Sequence, residues 1–299
     1  VRARGNTLLE GKIIIIAAAI NAVLDPIMIF GLFGFPRMEI AGAALATLSA
    51  NVLVLIGTLI YLHTRLRVFA TPFTHISNVL NSWRMMLQVG LPAMLTNVIV
   101  PLSNAIIVAM LAGYGVDAVA GFGVAIRIEP IALIGFYALS AVSSPFMGQN
   151  FAALKFNRLD EGRKVIGKFA VVYGLFLTLA FALLAGPLTA LFSDTESIQR
   201  VAVEYLWIMV VSYAGYGVVM SMCASFNGIG YPLPGVAISV SRAFVVFLPL
   251  ALLGRELIGM NGIFVAAAIA NLALGVAGYT WFGRHVRRHA AACQDSAQA

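Results

Sequence analysis

Charged side chains are scarce in this chain: Asp, Glu, Lys and Arg make up 10% of its 299 residues, while 61% are hydrophobic. A soluble domain carries about a quarter charged residues, so the composition excludes a soluble fold and indicates a polytopic membrane protein. Cysteine is almost missing. Cys223 lies in an apolar run and Cys293 near the C-terminus, and two unspaced thiols support neither a disulfide framework nor a thiolate metal site. His63, His75, His285 and His289 all fall outside the centres of the apolar runs. No His-Glu-x-x-His, cysteine cluster or Gly-Lys-Ser/Thr phosphate loop occurs. An ATP motor, an intramembrane metalloenzyme and a bound metal or cofactor are therefore unsupported, and the chain reads as a non-enzyme. A signal-peptide pattern and an initiator Met are also lacking at Val1-Arg2-Ala3-Arg4, which predicts the interior of a longer protein.

What the chain does have is apolar length. About twenty apolar residues cross a bilayer as a helix, and eight segments qualify: 12–34, 40–62, 86–112, 117–146, 165–191, 198–226, 233–254 and 260–283. This predicts an all-α polytopic protein of eight transmembrane helices. Turns rich in Gly, Pro, Asp and Ser separate the spans, and Ser77 to Trp83 reads as a short amphipathic stretch along the interface. The net charge of +7 would suggest nucleic acid in a soluble protein, but in a membrane protein it sets orientation. One set of loops holds Arg2, Arg4, Lys12, Arg65, Arg67, Arg84, Lys155, Arg158, Arg163, Lys164, Lys168, Arg284, Arg287 and Arg288; the opposite set holds only Arg37, Arg200 and Arg255. Both termini are thus expected on the cytoplasmic side, in keeping with an even span count. Arg284-His285-Val286-Arg287-Arg288-His289 reads as an anchor at the acidic-lipid surface.

Asp25 sits near the middle of the apolar run from Ile13 to Phe35, four residues after Asn21 and directly before Pro26. A charged, unpaired carboxylate at that depth costs several kcal/mol, so it needs a partner, a water-filled cavity or a proton. Residues four apart share a helix face, which lets the Asn21 amide reach the Asp25 carboxyl. Pro26 removes a backbone donor and favours a hinge. A carboxylate with a polar neighbour and a hinge reads as a proton or cation site; a buried Asp that only holds helices together is the plainer alternative.

The first two spans resemble the last two. Gly42-Ala43-Ala44-Leu45-Ala46-Thr47-Leu48-Ser49-Ala50-Asn51 lines up with Gly262-Ile263-Phe264-Val265-Ala266-Ala267-Ala268-Ile269-Ala270-Asn271, and Pro26 with Pro249. Both pairs enter from the same side, as expected of a parallel repeat. The alignment sets Asp25 against Leu248 and Asn21 against Phe244. Packing alone accepts an apolar residue at this position, so the carboxyl asks for a functional reason.

At this point the chain resembles the multidrug and toxic compound extrusion (MATE) family. The resemblance rests on Asn21-Ala22-Val23-Leu24-Asp25-Pro26 with Ile29-Phe30-Gly31, and on Gly42-Ala43-Ala44-Leu45-Ala46-Thr47. Further on come Leu91-Pro92, Asp117-Ala118-Val119-Ala120-Gly121-Phe122-Gly123, Gly148-Gln149-Asn150-Phe151 and Gly228-Ile229-Gly230. It implies spans five to twelve of a two-lobed, six-plus-six transporter. Residues 1–63 would close the N-terminal lobe, 64–84 would be a cytoplasmic linker, 85–285 the C-terminal lobe and 286–299 a cytoplasmic tail. It further implies secondary export of amphipathic, often cationic drugs across a bacterial inner membrane in exchange for H⁺ or Na⁺. Asp25, Asn21 and Thr47 match the family's coupling residues, and their first-helix partner would lie in preceding helices. Sodium-coupled relatives carry acidic residues in two later spans, which hold none near their centres here; Glu204 is close to a membrane face.

Arg127 and Glu129 lie inside the fourth span beside Pro130, and Arg242 inside the seventh. A Glu129–Arg242 salt bridge is expected, since charges inside a membrane usually pair; a substrate-cation contact at Glu129 is the alternative. Asn97, Ser103 and Asn104 around Pro92 and Pro101 read as interhelical hydrogen bonds or cavity lining. Met209, Met220 and Met222, with Tyr205, Tyr213 and Tyr216, read as packing or as a soft wall for varied ligands. Two other functions stay open. A flippase for lipid-linked sugars should carry more cavity cations than Arg127 and Arg242, and a membrane enzyme or structural subunit should show polar residues converging on one side. The expected partners are a small amphipathic substrate, the lipid bilayer and the preceding helices, with no nucleic acid.

The eight-span topology predicts that cysteine labels at Gly113, Ser193 and Arg255 react from outside and those at Lys155 and Ala299 only from the cytoplasm. Labelling of Lys155 and Ser193 from the same side would defeat it.

Overall fold

The computed structural model describes residues 7–66 and 76–298. It contains α1 (Thr7–Phe30), α2 (Glu39–Tyr61), α3 (Ile76–Leu111), α4 (Val116–Ala132), α5 (Ile134–Ala152) and α6 (Phe156–Ala190). There follow α7 (Glu196–Val210), α8 (Tyr213–Gly228), α9 (Pro232–Val240), α10 (Leu248–Ile258) and α11 (Met260–Gln298). Among the described residues there is no strand. Six helices are long and apolar enough to cross a membrane, and two bent pairs, α4 with α5 and α7 with α8, raise the number to eight. The all-α polytopic architecture is therefore present, with the fourth and sixth spans broken.

Each break has a local cause. The α4–α5 bend is 51° and follows Pro130, whose ring denies Ile126 a backbone hydrogen bond. The α7–α8 bend is 61° and lacks a proline. There Ser212 closes a tightened turn: both its N–H (2.9 Å) and its hydroxyl (2.8 Å) donate to the Met209 carbonyl. The seventh span is interrupted differently, by a π-helical stretch from Ser241 to Phe247 between α9 and α10. Such wide turns often lie at functional positions.

Two sequence expectations are revised. Ser77 to Trp83 is no separate interfacial element, because the backbone is helical without a break from Ile76 to Leu111. The final helix does not stop near residue 283 but continues to Gln298. No Pro or Gly follows Gly283, and Ala290-Ala291-Ala292 favours continued helix.

The chain divides into two compact units, Val1–Trp83 and Arg84–Ala299, with the division inside α3. In the first, α1 and α2 form a helical hairpin. Gly42 on α2 lies so close to the Met28 carbonyl of α1 that no Cβ fits between them. In the second, Phe122, Tyr205 and Phe264 make a chain of edge-to-face contacts at 5.2 and 5.1 Å, and Phe226 meets Phe282 at 5.1 Å. All five are buried. Gly262 on α11 meets the Gly254 carbonyl of α10 as closely as Gly42 meets Met28. The aligned glycines of the repeat thus do the same work: each lets the second helix of a pair touch the backbone of the first.

Gly42→Ala and Gly262→Ala should each cost about 1–3 kcal/mol by overpacking, read as a lowered Tm of the detergent-solubilised protein. Gly57→Ala, in a helix with open space around the position, should not lower it. Equal Tm values for all three would contradict the close-approach reading.

Candidate functional site

The first unit gathers a polar trio inside its hairpin. Asn21 and Asp25 face the same way along α1, and Asn21 Nδ2 donates to Asp25 Oδ1 at 3.2 Å. The tight glycine contact brings α2 alongside, so the same amide nitrogen donates to Thr47 Oγ1 at 3.3 Å. The Thr47 hydroxyl in turn donates to the Ala43 carbonyl at 3.0 Å. Both amide hydrogens of Asn21 are thereby committed and its orientation is fixed. Asp25 is half-buried. Among the described residues no Lys, Arg or His lies within ion-pair distance of it. Pro26 does not interrupt the helix: α1 runs through it to Phe30, although the missing N–H leaves the Ala22 carbonyl without its helical donor. No three His, Cys, Asp or Glu side chains gather among the described residues.

The second unit contains a cavity of about 220 Å³ whose lining includes Asn104, Glu129, Tyr205, Met209, Arg242 and Asn271. Beside it lies another of about 420 Å³, lined in part by Asn97, Ser140, Met220, Asn227 and Ser239. Val100, Tyr137, Tyr216 and Arg242 line both. Of the polar and charged residues singled out from sequence, Asn97, Ser103, Asn104, Glu129 and Arg242 reach these cavities. Arg127 is exposed and lines neither. Met209, Tyr205 and Tyr216 belong to the walls, whereas Met222 and Tyr213 are wholly buried in packing.

The expected Glu129–Arg242 salt bridge is not formed. Glu129 instead accepts a hydrogen bond from the Tyr205 hydroxyl at 3.3 Å. Arg242, carried on the π-helical stretch, donates from Nη1 to Asn271 Oδ1 at 3.2 Å. Its guanidinium lies over the Tyr216 ring, 5.2 Å from the centroid. Asn271 is itself oriented, since its Nδ2 donates to Ser212 Oγ at 3.1 Å, and that hydroxyl donates to Met209. A relay from the α7–α8 break thus aims an amide oxygen at the guanidinium, which explains why Arg242 turns to α11. Sequence reading missed Tyr205 as the partner of Glu129, and Asn271 and Ser212 altogether. The one signal for Asn271 was its alignment with Asn51 at the end of the repeat.

A protein-family model, MatE, matches residues 92–253, more than half of the chain. The chain belongs to the MATE family. Among curated relatives, this MATE chain is 34% identical over 278 residues to a FAD transporter of Shewanella oneidensis, with 93% of the chain and 62% of that protein covered. It is 25% identical over 285 residues to the probable multidrug resistance protein YoeA of Bacillus subtilis, covering 92% and 62% respectively. Among solved structures, the Vibrio cholerae MATE transporter VcmN in its bent form superposes with a TM-score of 0.85 at 27% identity, covering 96% of this chain and 64% of that one. A MOP-superfamily transporter from Pyrococcus furiosus shares the fold, with a TM-score of 0.81, 21% identity, and coverage of 92% and 62%. The chain therefore spans 62% of the length of the two curated relatives. It is a multi-pass membrane protein of a transporter family.

Proposed function

We propose that the chain is part of a secondary antiporter that exports small amphipathic molecules, cationic drugs among them, in exchange for H⁺. Na⁺ is the alternative coupling ion, and the bacterial inner membrane, with both termini cytoplasmic, is the setting. The observation that carries this reading is the trio in α1 and α2, where one amide holds a lone carboxyl and a hydroxyl together. The charged carboxylate accepts the Asn21 hydrogen bond well; the protonated acid loses its charge and with it part of that support. A proton arriving from outside would discharge Asp25, loosen the α1–α2 contact near Pro26 and weaken a bound cation. Each pH unit across the membrane supplies about 1.4 kcal/mol, enough for roughly a tenfold substrate gradient.

For the substrate, one comparison favours a second reading. The Shewanella relative named FAD transporter is 34% identical, against 24% for the multidrug export protein MepA of Staphylococcus haemolyticus. An aromatic, anionic nucleotide is accordingly the alternative cargo.

In the full-length protein, Asp25→Asn should abolish transport driven by a pH gradient while preserving expression, since it keeps the shape and mimics the protonated acid. Asn21→Leu should reduce transport less, through loss of one hydrogen bond. Leu248→Ala, at the aligned position of the second unit, should only loosen packing. Efflux at matched expression, with an imposed pH gradient and with Na⁺ present or absent, separates these cases. Parental transport by Asp25→Asn would make Asp25 structural.

A further inference from the structure

The guanidinium of Arg242 is held as a binding group is held, with most of its donors left over. A salt-bridge role is ruled out by distance: no carboxylate oxygen lies within 4.0 Å of it among the described residues. Of the five N–H donors of an arginine, only one on Nη1 has a hydrogen-bond acceptor among the described residues, Asn271 Oδ1. Nε is buried without any partner. Leaving a buried charged donor unpaired is costly, and packing alone would have been served by an apolar residue. The side chain is nonetheless positioned, by the Ser212–Asn271 relay on one side and the Tyr216 ring beneath.

The charge of the surroundings points to the ligand. Glu129 belongs to the smaller cavity, but the larger one, which Arg242 also lines, contains no Asp or Glu among the described residues. Its lining combines that single cation with hydroxyl and amide side chains such as Ser140, Asn227 and Ser239, and with the rings of Tyr137 and Tyr216. About 420 Å³ falls within the usual range for small-molecule sites, about 300–1,000 Å³. A cation there would meet the repulsion of Arg242, with no carboxylate in the described lining to offset it. A planar anionic group would take up the remaining Nη donors in the forked geometry that suits carboxylate and phosphate.

We propose that Arg242 is the docking point for the acidic group, a carboxylate or a phosphate, of a transported aromatic molecule that lies along Tyr137 and Tyr216 in the larger cavity. This rests on the reading of the chain as part of a transporter and narrows the cargo of the second unit to anionic or zwitterionic compounds. Asn271 and Ser212 are positioning residues that act through Arg242.

The test is equilibrium binding to the purified full-length protein, with no ion gradient, using paired probes that differ in one acidic group. Flavin mononucleotide against riboflavin reports a phosphate; norfloxacin against its methyl ester reports a carboxylate. The parent protein should bind the acidic member of at least one pair about tenfold or more tightly than the member lacking the acid, and the responding pair identifies the acidic group. Arg242→Gln should erase that preference. Arg242→Lys, which keeps the charge without the fork, should retain part of it. Should Arg242→Gln fail to fold, the parent's preference and its reduction in Arg242→Lys still decide. No preference in either pair, or a preference that survives in Arg242→Gln, overturns the proposal. An Arg242-dependent preference in a protein that transports nothing would retain this site and remove the antiport reading; transport without any preference would do the reverse.

Discussion

Hydrocarbon offers a polar side chain no water, so each must find its partners within the protein. Asn21 shows what that constraint produces: one amide, both hydrogens engaged, joins the carboxyl of its own helix to the hydroxyl of the next. The arrangement depends on Gly42, because only a missing Cβ lets α2 approach the Met28 carbonyl and bring Thr47 within reach. The second unit answers the same constraint with other groups. Tyr205 supports Glu129, and Ser212 and Asn271 support Arg242, leaving a carboxyl and a guanidinium in adjoining spaces without mutual neutralisation.

The repeat makes the two units instructive side by side. Gly42 and Gly262 serve the same close contact, yet the positions aligned with Asn21, Asp25 and Thr47 are Phe244, Leu248 and Ala267. One scaffold therefore carries a polar trio in its first copy and apolar side chains in its second. The polar chemistry of the second copy moves to Arg242 and Asn271, beside a π-helical stretch with no counterpart in α1. Copies that share helix packing are free to divide the tasks of ion coupling and substrate contact between them.

Local features were legible in the sequence. Span count follows from apolar length, and the Asn21–Asp25 contact follows from a spacing of four on one helix. Pro130 marks the break in the fourth span, although the apolar run alone reads as continuous. The break at Ser212 was silent, because a hydroxyl competing for the Met209 carbonyl leaves no mark comparable to a proline. The partners of Glu129 and Arg242 were likewise illegible: rotation within a π-helical turn and a relay across three helices decide them, and neither is encoded in spacing. The length of α11 exceeds the expected span because apolar length sets only the membrane-crossing part, and the basic run and alanines beyond residue 283 continue the helix.

If one carboxyl governs coupling, its protonation must change when substrate binds. Infrared difference spectroscopy of the full-length protein, recorded on substrate addition over a series of pH values, observes this directly through the C=O stretch of a protonated carboxylic acid. Substrate should deplete that band in the parent protein, and the change should vanish in Asp25→Asn. A protonated-acid signal that ignores substrate, or one that responds equally in Asp25→Asn, would contradict coupling through Asp25.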